Sequence, residues 1–515
     1  MQRITVDQTK FKNELGGEVI LYGINYVDKG WHRHKGKRKE YIHVPDEKLL
    51  LRFKAAGFNC VRLGLIWDAI EPQPSQYNEE YLDRMVEVGR LCEKLGIYFY
   101  LDMHQDLYGS TFSDGAPEWA CLTNGCAYEK PSFVWAEGYF FGKATHNAFH
   151  AFWHNQMVNG KGLQEYYADM WQHVAQRFCD NTALVGYDLM NEPFPCRIRR
   201  DVFTAILEAA VQKTEEISGL PADQPMHLRD CFANTTEKKG FRKLVFQMVR
   251  RLKNPKKVKA LRQVLMDKEL FHEVVCSVED EIKAFDTCYY TPFLNRVAQK
   301  LRAVDSDHII FMENSYWSNL GIPYSAEKPQ VDGRTDAHVA FAPHGYDLFV
   351  DTPLYQYASD DRVLRIFEEH QRSQERLGVP VLVGEWGAFP DKPIAVRCAQ
   401  TLLDFFDENQ WSSTYWCYYR HFLSTKVMQA LKRPHPQVVY GKILQYRYQS
   451  DRKLFTLCFE QSPAHTQEPS VVYLPSAPRS VQTDCRTELV KNPDGEDCLL
   501  HIFSEGGSHL VKVQL

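Results

Sequence analysis

The stretch Leu184-Val185-Gly186-Tyr187-Asp188-Leu189-Met190-Asn191-Glu192-Pro193 decides how this chain reads. An apolar run suited to a buried parallel strand ends abruptly in Asn-Glu-Pro. Desolvating a carboxylate is costly, so a glutamate at the mouth of a core strand needs a reason to be there. One reason is local: Asn191 and Glu192 cap a following helix, with Pro193 in its first turn. The other is chemical, and the neighbouring strands have to decide between them.

Upstream, Val19–Tyr26, Asn59–Gly64 and Ile97–Asp102 read as strands. Between them lie helical patterns over 46–56 and 79–95, stopped by Gly57 and Gly96. Leu107–Asn159 reads as a long aromatic-rich loop, and a helix is expected near 162–180. Downstream, strands are expected at 308–314, 338–344, 379–384 and 412–416, separated by helices near 293–304, 361–377 and 394–409. Eight strands alternating with helices over about 400 residues predict a (β/α)8 TIM barrel rather than an open doubly wound sheet. No GxGxxG turn follows the first strand, which weakens a dinucleotide fold. Beyond Lys432-Arg-Pro-His-Pro436 only short strand-like runs remain, at 453–460, 470–474 and 499–503. The expected organisation is therefore a barrel over 1–432 and a C-terminal all-β sandwich over 433–515.

Catalytic groups in such barrels stand at the carboxyl ends of the strands. At those positions this chain carries Arg62, His104, Asn191 with Glu192, Glu313, His344 with Tyr346, Glu385 and Trp416. Each has a dull explanation alone: a structural ion pair, a satisfied core histidine, a core aromatic. Their fall at the same end of successive strands is much harder to assign to chance. Glu192 and Glu385, after strands four and seven, can face each other across the mouth. Glycoside hydrolysis needs such a pair, one to protonate the leaving oxygen and one to attack the anomeric carbon, about 5–5.5 Å apart for retention. Arg62 and Tyr346 are expected to hold Glu385 ionised, while Glu192 keeps its proton in a less cationic setting. Asn191 is placed to meet a sugar 2-hydroxyl, and Trp416 to offer a flat face to the ring.

With those residues in view, Tyr-Asp-Leu-Met-Asn-Glu-Pro, Gly384-Glu-Trp-Gly387 and His344-x-Tyr346 resemble glycoside hydrolase family 5. Asn25-Tyr-Val-Asp-Lys29, Leu101-Asp-Met-His-Gln-Asp-Leu-Tyr108, Gly162-Leu-Gln-x-x-Tyr and Arg433-Pro-His-Pro-Gln437 are closer to its endoglycoceramidase branch. The resemblance covers 19–195 and 290–510. It implies Glu192 as acid/base and Glu385 as nucleophile. It also implies Arg62, His104, Asn191, His344, Tyr346 and Trp416 around the reacting centre, with Lys29 and Asp106 holding the sugar. The implied activity is retaining hydrolysis of the β-bond between a sugar, glucose foremost, and a lipid such as ceramide or sterol. No cofactor and no metal are implied.

Composition sets the bounds. The chain has 44% hydrophobic and 13% aromatic residues, enough for a sizeable core. A net charge of −5 speaks against a general nucleic-acid binder. Fourteen scattered cysteines without CxxC or zinc spacing read as reduced thiols, Cys121 and Cys126 included. Met1–Lys10 lacks an apolar leader core, so a cytoplasmic protein is expected.

One region departs from the resemblance. An insertion of about 196–285 follows strand four, and within it 238–262 hold eleven Lys/Arg and no Asp or Glu. Setting those eleven charges aside leaves −16 for everything else. Leu244, Val245, Met248 and Leu252 form a stripe at helical spacing, broken at Asn254-Pro255. A solvated helical hairpin packed on the barrel is the plain reading. The functional one is a basic amphipathic surface on anionic membrane, beside a cleft narrowed to one sugar. The rival activities are a β-glucanase or small-aglycone β-glucosidase, a non-catalytic glycan- or lipid-binding barrel, and a metal-dependent hydrolase through Asp102-x-His104.

Overall fold

The computed structural model describes residues 1–31, 39–131, 134–196, 201–221, 224–350, 352, 354–461, 468–492 and 495–515. Eight parallel strands curl into the barrel: β1 (Tyr22–Val27), β2 (Cys60–Ile66), β3 (Tyr98–His104), β4 (Leu184–Asp188), β5 (Ile309–Met312), β6 (Val339–Phe341, resumed at His344–Gly345), β7 (Leu382–Gly387) and β8 (Ser412–Trp416). The barrel closes at two places. Ser413 of β8 pairs with Tyr22 of β1, and β6 pairs with β5 through Met312–Phe341 and with β7 through His344–Glu385. All eight strands are nearly wholly buried, which is why they read as apolar runs rather than alternating ones.

The helices follow from their ends. Asp46 accepts the Leu49 N–H to start Glu47–Ala55, and Gly96, at φ 69°, stops Glu79–Leu95. The expected loop over Leu107–Asn159 is corrected: it contains helices Glu137–Phe141 and Lys143–Trp153. The second is buried on nearly every side, so it shows no polar face to mark it in the sequence.

The decisive stretch is held from outside. Gly186 has to be glycine, because a Cβ there would lie 2.0 Å from the Ile309 carbonyl of β5. Past the strand, the Leu189 carbonyl accepts from Tyr167 Oη (2.7 Å) and Trp171 Nε1 (3.0 Å), both on helix Leu163–Phe178. Trp153 Nε1 donates to the Phe194 carbonyl, and the Tyr316 N–H to that of Pro193. No helix begins at Asn191: the residues to Cys196 are irregular, and the next helix, Val202–Ser218, is capped by Asp201. The capping explanation of Asn191 and Glu192 is excluded.

The C-terminal sandwich stacks a four-stranded sheet on a seven-stranded one around Phe455, Leu457, Val472, Leu500 and Val511. The sandwich also takes in amino-terminal strands that the sequence groups with the barrel. Strands Ile4–Asp7, Lys10–Asn13 and Glu18–Val19 belong to the seven-stranded sheet, joined through Val19–Val438. Their hairpin also covers the amino-terminal end of the barrel, with Phe11 against Phe311 at 6.4 Å. The Arg433-Pro-His435 run forms the seam. Arg433 pairs with buried Asp407, and His435 packs on Tyr22 at 4.4 Å.

The insertion is helical, as expected: Glu237–Leu252 and Pro255–Met266 carry the basic run, with Asn254 capping the second. Leu244 and Leu252 are buried, but Val245, expected in the packed stripe, is exposed. Residues 197–200 and 222–223 of the insertion lie outside the described residues. Among the described residues, no helix is long and apolar enough to cross a membrane, and no disulfide is formed.

Candidate active site

The register explains why so many carboxyl groups converge. Asn25 of β1 stands beside Arg62 of β2, Gly64 beside Asp102 of β3, Asp102 beside Asp188 of β4, and Asp188 beside Phe311 of β5. Equivalent levels of adjacent strands therefore point into one small volume. Arg62, fully buried, is its hub. Its guanidinium reaches Asp102 (3.0 Å), Asp188 (2.8 Å), Glu313 (2.6 Å) and Glu385 (2.7 Å). It also donates to the side-chain oxygens of Asn25 and Asn191, each at 3.1 Å. A planar fork with five N–H donors suits this task, and a lysine could not replace it.

Glu385 receives the Arg62 bond on Oε1 and the Tyr346 hydroxyl on Oε2 at 2.8 Å. Glu192 lies across from it. An oxygen of Glu192, an oxygen of Glu385 and a ring nitrogen of His344 all fall within 4.8 Å of one another. The Glu192 backbone sits at φ 45°, in the left-handed region that costs a non-glycine residue about 1 kcal/mol or more. Its N–H is held by Glu313 Oε2 at 2.7 Å, while Gln105 Nε2 donates to the carbonyls of Asn191 and Glu192. Both donors to the Glu192 side chain reach Oε1: Asn319 Nδ2 at 2.6 Å and His344 Nδ1 at 3.2 Å.

Burial raises the pKa of Glu192, the charge of Glu385 adds to the rise, and the His344 hydrogen bond only partly offsets it. With Oε1 occupied by donors, the proton belongs on Oε2. Burial opposes charge on His344, yet Glu313 and Glu385 raise its pKa far above the ordinary imidazole range. Burial also opposes charge on Glu313, but His344 and Arg62 lower its pKa to about 2. Neighbouring Asp188 is raised by burial and by Glu313, so Asp188 is the member of that pair that keeps a proton.

A second group flanks the first. Trp416 lies between His104, stacked at 5.2 Å, and Lys29, whose ammonium is 4.9 Å from its ring centre. Lys29 pairs with Asp106. His104 Nδ1 is 2.9 Å from Asp102, and its Nε2 has no hydrogen-bond partner among the described residues, with Asp106 3.8 Å away. Burial opposes the imidazolium, but Asp102 raises the His104 pKa to about 10. Asp114 backs this group, its backbone pairing with Asp106, and Lys39 Nζ donates to the carbonyls of Lys29 (3.0 Å) and Ser113 (2.6 Å). Asp102 is thus occupied by a guanidinium and an imidazole, which argues against the metal-ligand reading of Asp102-x-His104.

All ten expected site residues, Lys29, Arg62, His104, Asp106, Asn191, Glu192, His344, Tyr346, Glu385 and Trp416, come together here. Asn319, Asp188, Gln105 and Asp114 were not expected. Asp188 had a signal, since a carboxylate inside an apolar strand requires a buried partner. Asn319 sits in a short 3-10 helix after β5, Tyr316–Leu320, with nothing in the sequence to mark it.

The Cellulase (glycosyl hydrolase family 5) model matches residues 15–217 and 288–421, and the glycoside hydrolase family 5 C-terminal domain model matches 433–513. The gap between the two segments of the first match lies in the basic insertion. An endoglycoceramidase of Cyanea nozakii is 33% identical over 213 residues, 37% of this chain and 41% of that protein. A glucosylceramidase of Rhizopus delemar is 25% identical over 369 residues, 59% of this chain and 50% of that protein. The chain thus aligns with half or less of the length of these relatives. In solved structures, endo-glycoceramidase II from Rhodococcus sp. has the same fold, with a TM-score of 0.71 at 23% identity over 99% of both chains.

Proposed function

The chain belongs to glycosyl hydrolase family 5, and from that premise we propose that it is a retaining β-glycosidase releasing glucose from a lipid glucoside. The observation that carries the proposal is the approach of Glu192 and Glu385 oxygens to within 4.8 Å. Such an approach fits the ~5–5.5 Å between a nucleophile and an acid/base better than the ~6.5–9.5 Å between the carboxyl groups of an inverting pair, which must admit a water.

Glu385, fixed by Arg62 and Tyr346, attacks the anomeric carbon. The bond to the aglycone oxygen breaks as that oxygen takes the Oε2 proton of Glu192. A glycosyl ester of Glu385 forms, and its negative charge disappears. The loss of that charge removes one cause of the raised Glu192 pKa, so Glu192, now ionised, serves as base. Water gives its proton to Glu192, its oxygen bonds to the anomeric carbon, and Glu385 leaves as carboxylate. Asn191 and His104 face the sugar hydroxyls, and Trp416 carries the ring, with Lys29 and Asp106 at its rim.

Phe194, two residues past Glu192, is buried against Tyr139 (4.8 Å) and Tyr316 (5.7 Å), which backs the Glu192 loop with an aromatic core. Lys39 donates to the Lys29 and Ser113 carbonyls beside the Trp416 group, and we read that tie as favouring one sugar over a chain. The names of the relatives, endoglycoceramidase and glucosylceramidase, support a glycolipid class. A lipid aglycone also needs a route from a bilayer, and the basic insertion is our candidate for that contact. The free thiols fit a cytoplasmic location.

The test is product identification. Wild type and Glu192→Ala are incubated with glucosylceramide, lactosylceramide and a steryl glucoside. Glucose from the first or third, with no disaccharide from the second, is expected of the wild type. Disaccharide release would establish endo action, and cleavage of none would sink the lipid assignment. Azide should rescue Glu192→Ala on an activated aryl glucoside, giving a glycosyl azide of retained configuration.

A further inference from the structure

The helix Glu237–Leu252 has an outer face that its own protein leaves uncovered. Phe246 is 67% exposed, Val249 61% and Val245 42%; Val258 on the next helix is 54% exposed. Helical geometry at 100° per residue places Lys239, Arg242, Lys243, Arg250 and Lys253 within about 60° of Phe246. All five are exposed. Of the eleven cations in 238–262, only Arg251 and Lys257 turn inward, both to Glu215. The other nine have no ion-pair partner among the described residues.

The inner face fixes where this surface sits. Leu244 and Phe241 pack with Phe141, Leu228 and Phe232. From there an aromatic ladder runs Phe241–Phe141 (5.5 Å), Phe141–Phe203 (6.3 Å), Phe203–Trp317 (6.4 Å) and Trp317–Tyr316 (5.3 Å). It ends against Phe194, two residues from Glu192. On the other side, Arg362, after β6, donates to the Leu265 carbonyl of the second helix. The helical pair therefore stands on the carboxyl-end face of the barrel, with that aromatic layer between it and the Glu192 loop.

We propose that the Phe246 face docks on an anionic lipid bilayer and presents the barrel mouth to that bilayer. Cations alone would suit any polyanion. A phenylalanine and three valines among them suit a partner with an apolar layer beneath its charges, which a bilayer has and a nucleic acid backbone lacks. The link to substrate delivery rests on the glycolipid reading above; the binding itself does not.

The test is co-sedimentation of the full chain with phosphatidylcholine vesicles with and without 30% phosphatidylserine. Binding to the anionic vesicles only is expected, weakened by salt. Arg242→Glu/Arg250→Glu should weaken it at least about 100-fold, at about fivefold per unit charge. Phe246→Ser should weaken it about tenfold, and this loss should persist at high salt where charge no longer contributes. Each variant is also assayed on an aryl glucoside, where an unchanged rate verifies the fold, and on glucosylceramide in detergent and in anionic vesicles. Loss confined to the vesicle assay is expected. Absent vesicle binding, or unchanged binding of both variants, overturns the docking proposal, as does binding to polyuridylate alone. If the variants lose vesicle binding but wild type cleaves no glycolipid in detergent, docking stands and the substrate reading falls.

Discussion

The Arg62 centre and the Phe246 face handle charge in opposite ways. In the first, every donor of one buried guanidinium is used, and four carboxyl groups contact it within 3.0 Å. In the second, nine exposed cations have no ion-pair partner among the described residues. A charge taken out of water must be matched from within the protein, whereas one left in water stays free to meet something else. Folding therefore depends on the first region, and only an outside partner depends on the second.

The largest effect should come from Glu385→Gln. It keeps the shape of the site and removes the nucleophile, so turnover on an aryl glucoside should fall on the order of 10⁴-fold in a chain that still folds. A variant retaining substantial turnover would mean that the carboxylate pairing is structural. Next, Arg62→Lys leaves buried carboxyl groups underpaired and should cost about 3–5 kcal/mol in urea unfolding. Lys239→Ser/Arg242→Ser, by contrast, should stay within about 0.5 kcal/mol per substitution. Equal costs in the two regions would erase the contrast.

A third comparison lies within the site. Asn319→Ala removes a donor to Glu192 Oε1, and donors to a carboxylate favour its ionised form. The Glu192 pKa is already raised by burial, and this change should raise it further. The alkaline limb of kcat/KM, where the acid loses its proton, should move up by ~0.5–1 unit. A downward move would show that Asn319 stabilises the protonated acid.

The smallest test concerns a buried carboxyl group supported mainly by the backbone. Asp286 accepts the Ser325 N–H at 2.7 Å, and its other oxygen has no hydrogen-bond partner among the described residues. Burial raises its pKa to about 7, with Ser325 and Arg376 opposing. The folded state therefore binds more protons than the unfolded state between about pH 4 and 7, and stability falls as pH rises through that window. Asp286→Asn should remove that fall and stabilise the protein at pH 8 by on the order of 2 kcal/mol, with little gain at pH 4. Equal stability of variant and wild type at pH 8 would show that the carboxylate is better matched than its contacts suggest.

Much of this was legible in the sequence because barrel strands repeat one rule. Each is an apolar run ending in a polar group, so Arg62, His104, Glu192, Glu313, His344 and Glu385 could be read at equivalent positions. Asn319 could not, since a single 3-10 turn is too short to show a period that would place it. Helix Lys143–Trp153 was hidden for a different reason: buried almost all round and rich in His and Phe, it lacks the polar stripe that marks a surface helix. The basic run was plain as composition, but which residues faced inward was not. Val245 was expected to pack, yet it stands outside, while Lys257 is turned in by Glu215. Pairing between Val19 and Val438 was beyond any local pattern.

That last pairing bears on the order of events during synthesis. The hairpin covering the base of the barrel leaves the ribosome early, but the strand it must join lies 419 residues downstream. At about 5–20 residues per second, the wait is roughly 20–80 s. Until then the strand at Glu18–Val19 offers an open edge, and a nascent barrel has to rely on Phe11 and its neighbours to keep that edge in place. A stop codon just before His435 would leave the wait without an end, and the truncated chain should be recovered with chaperones rather than free.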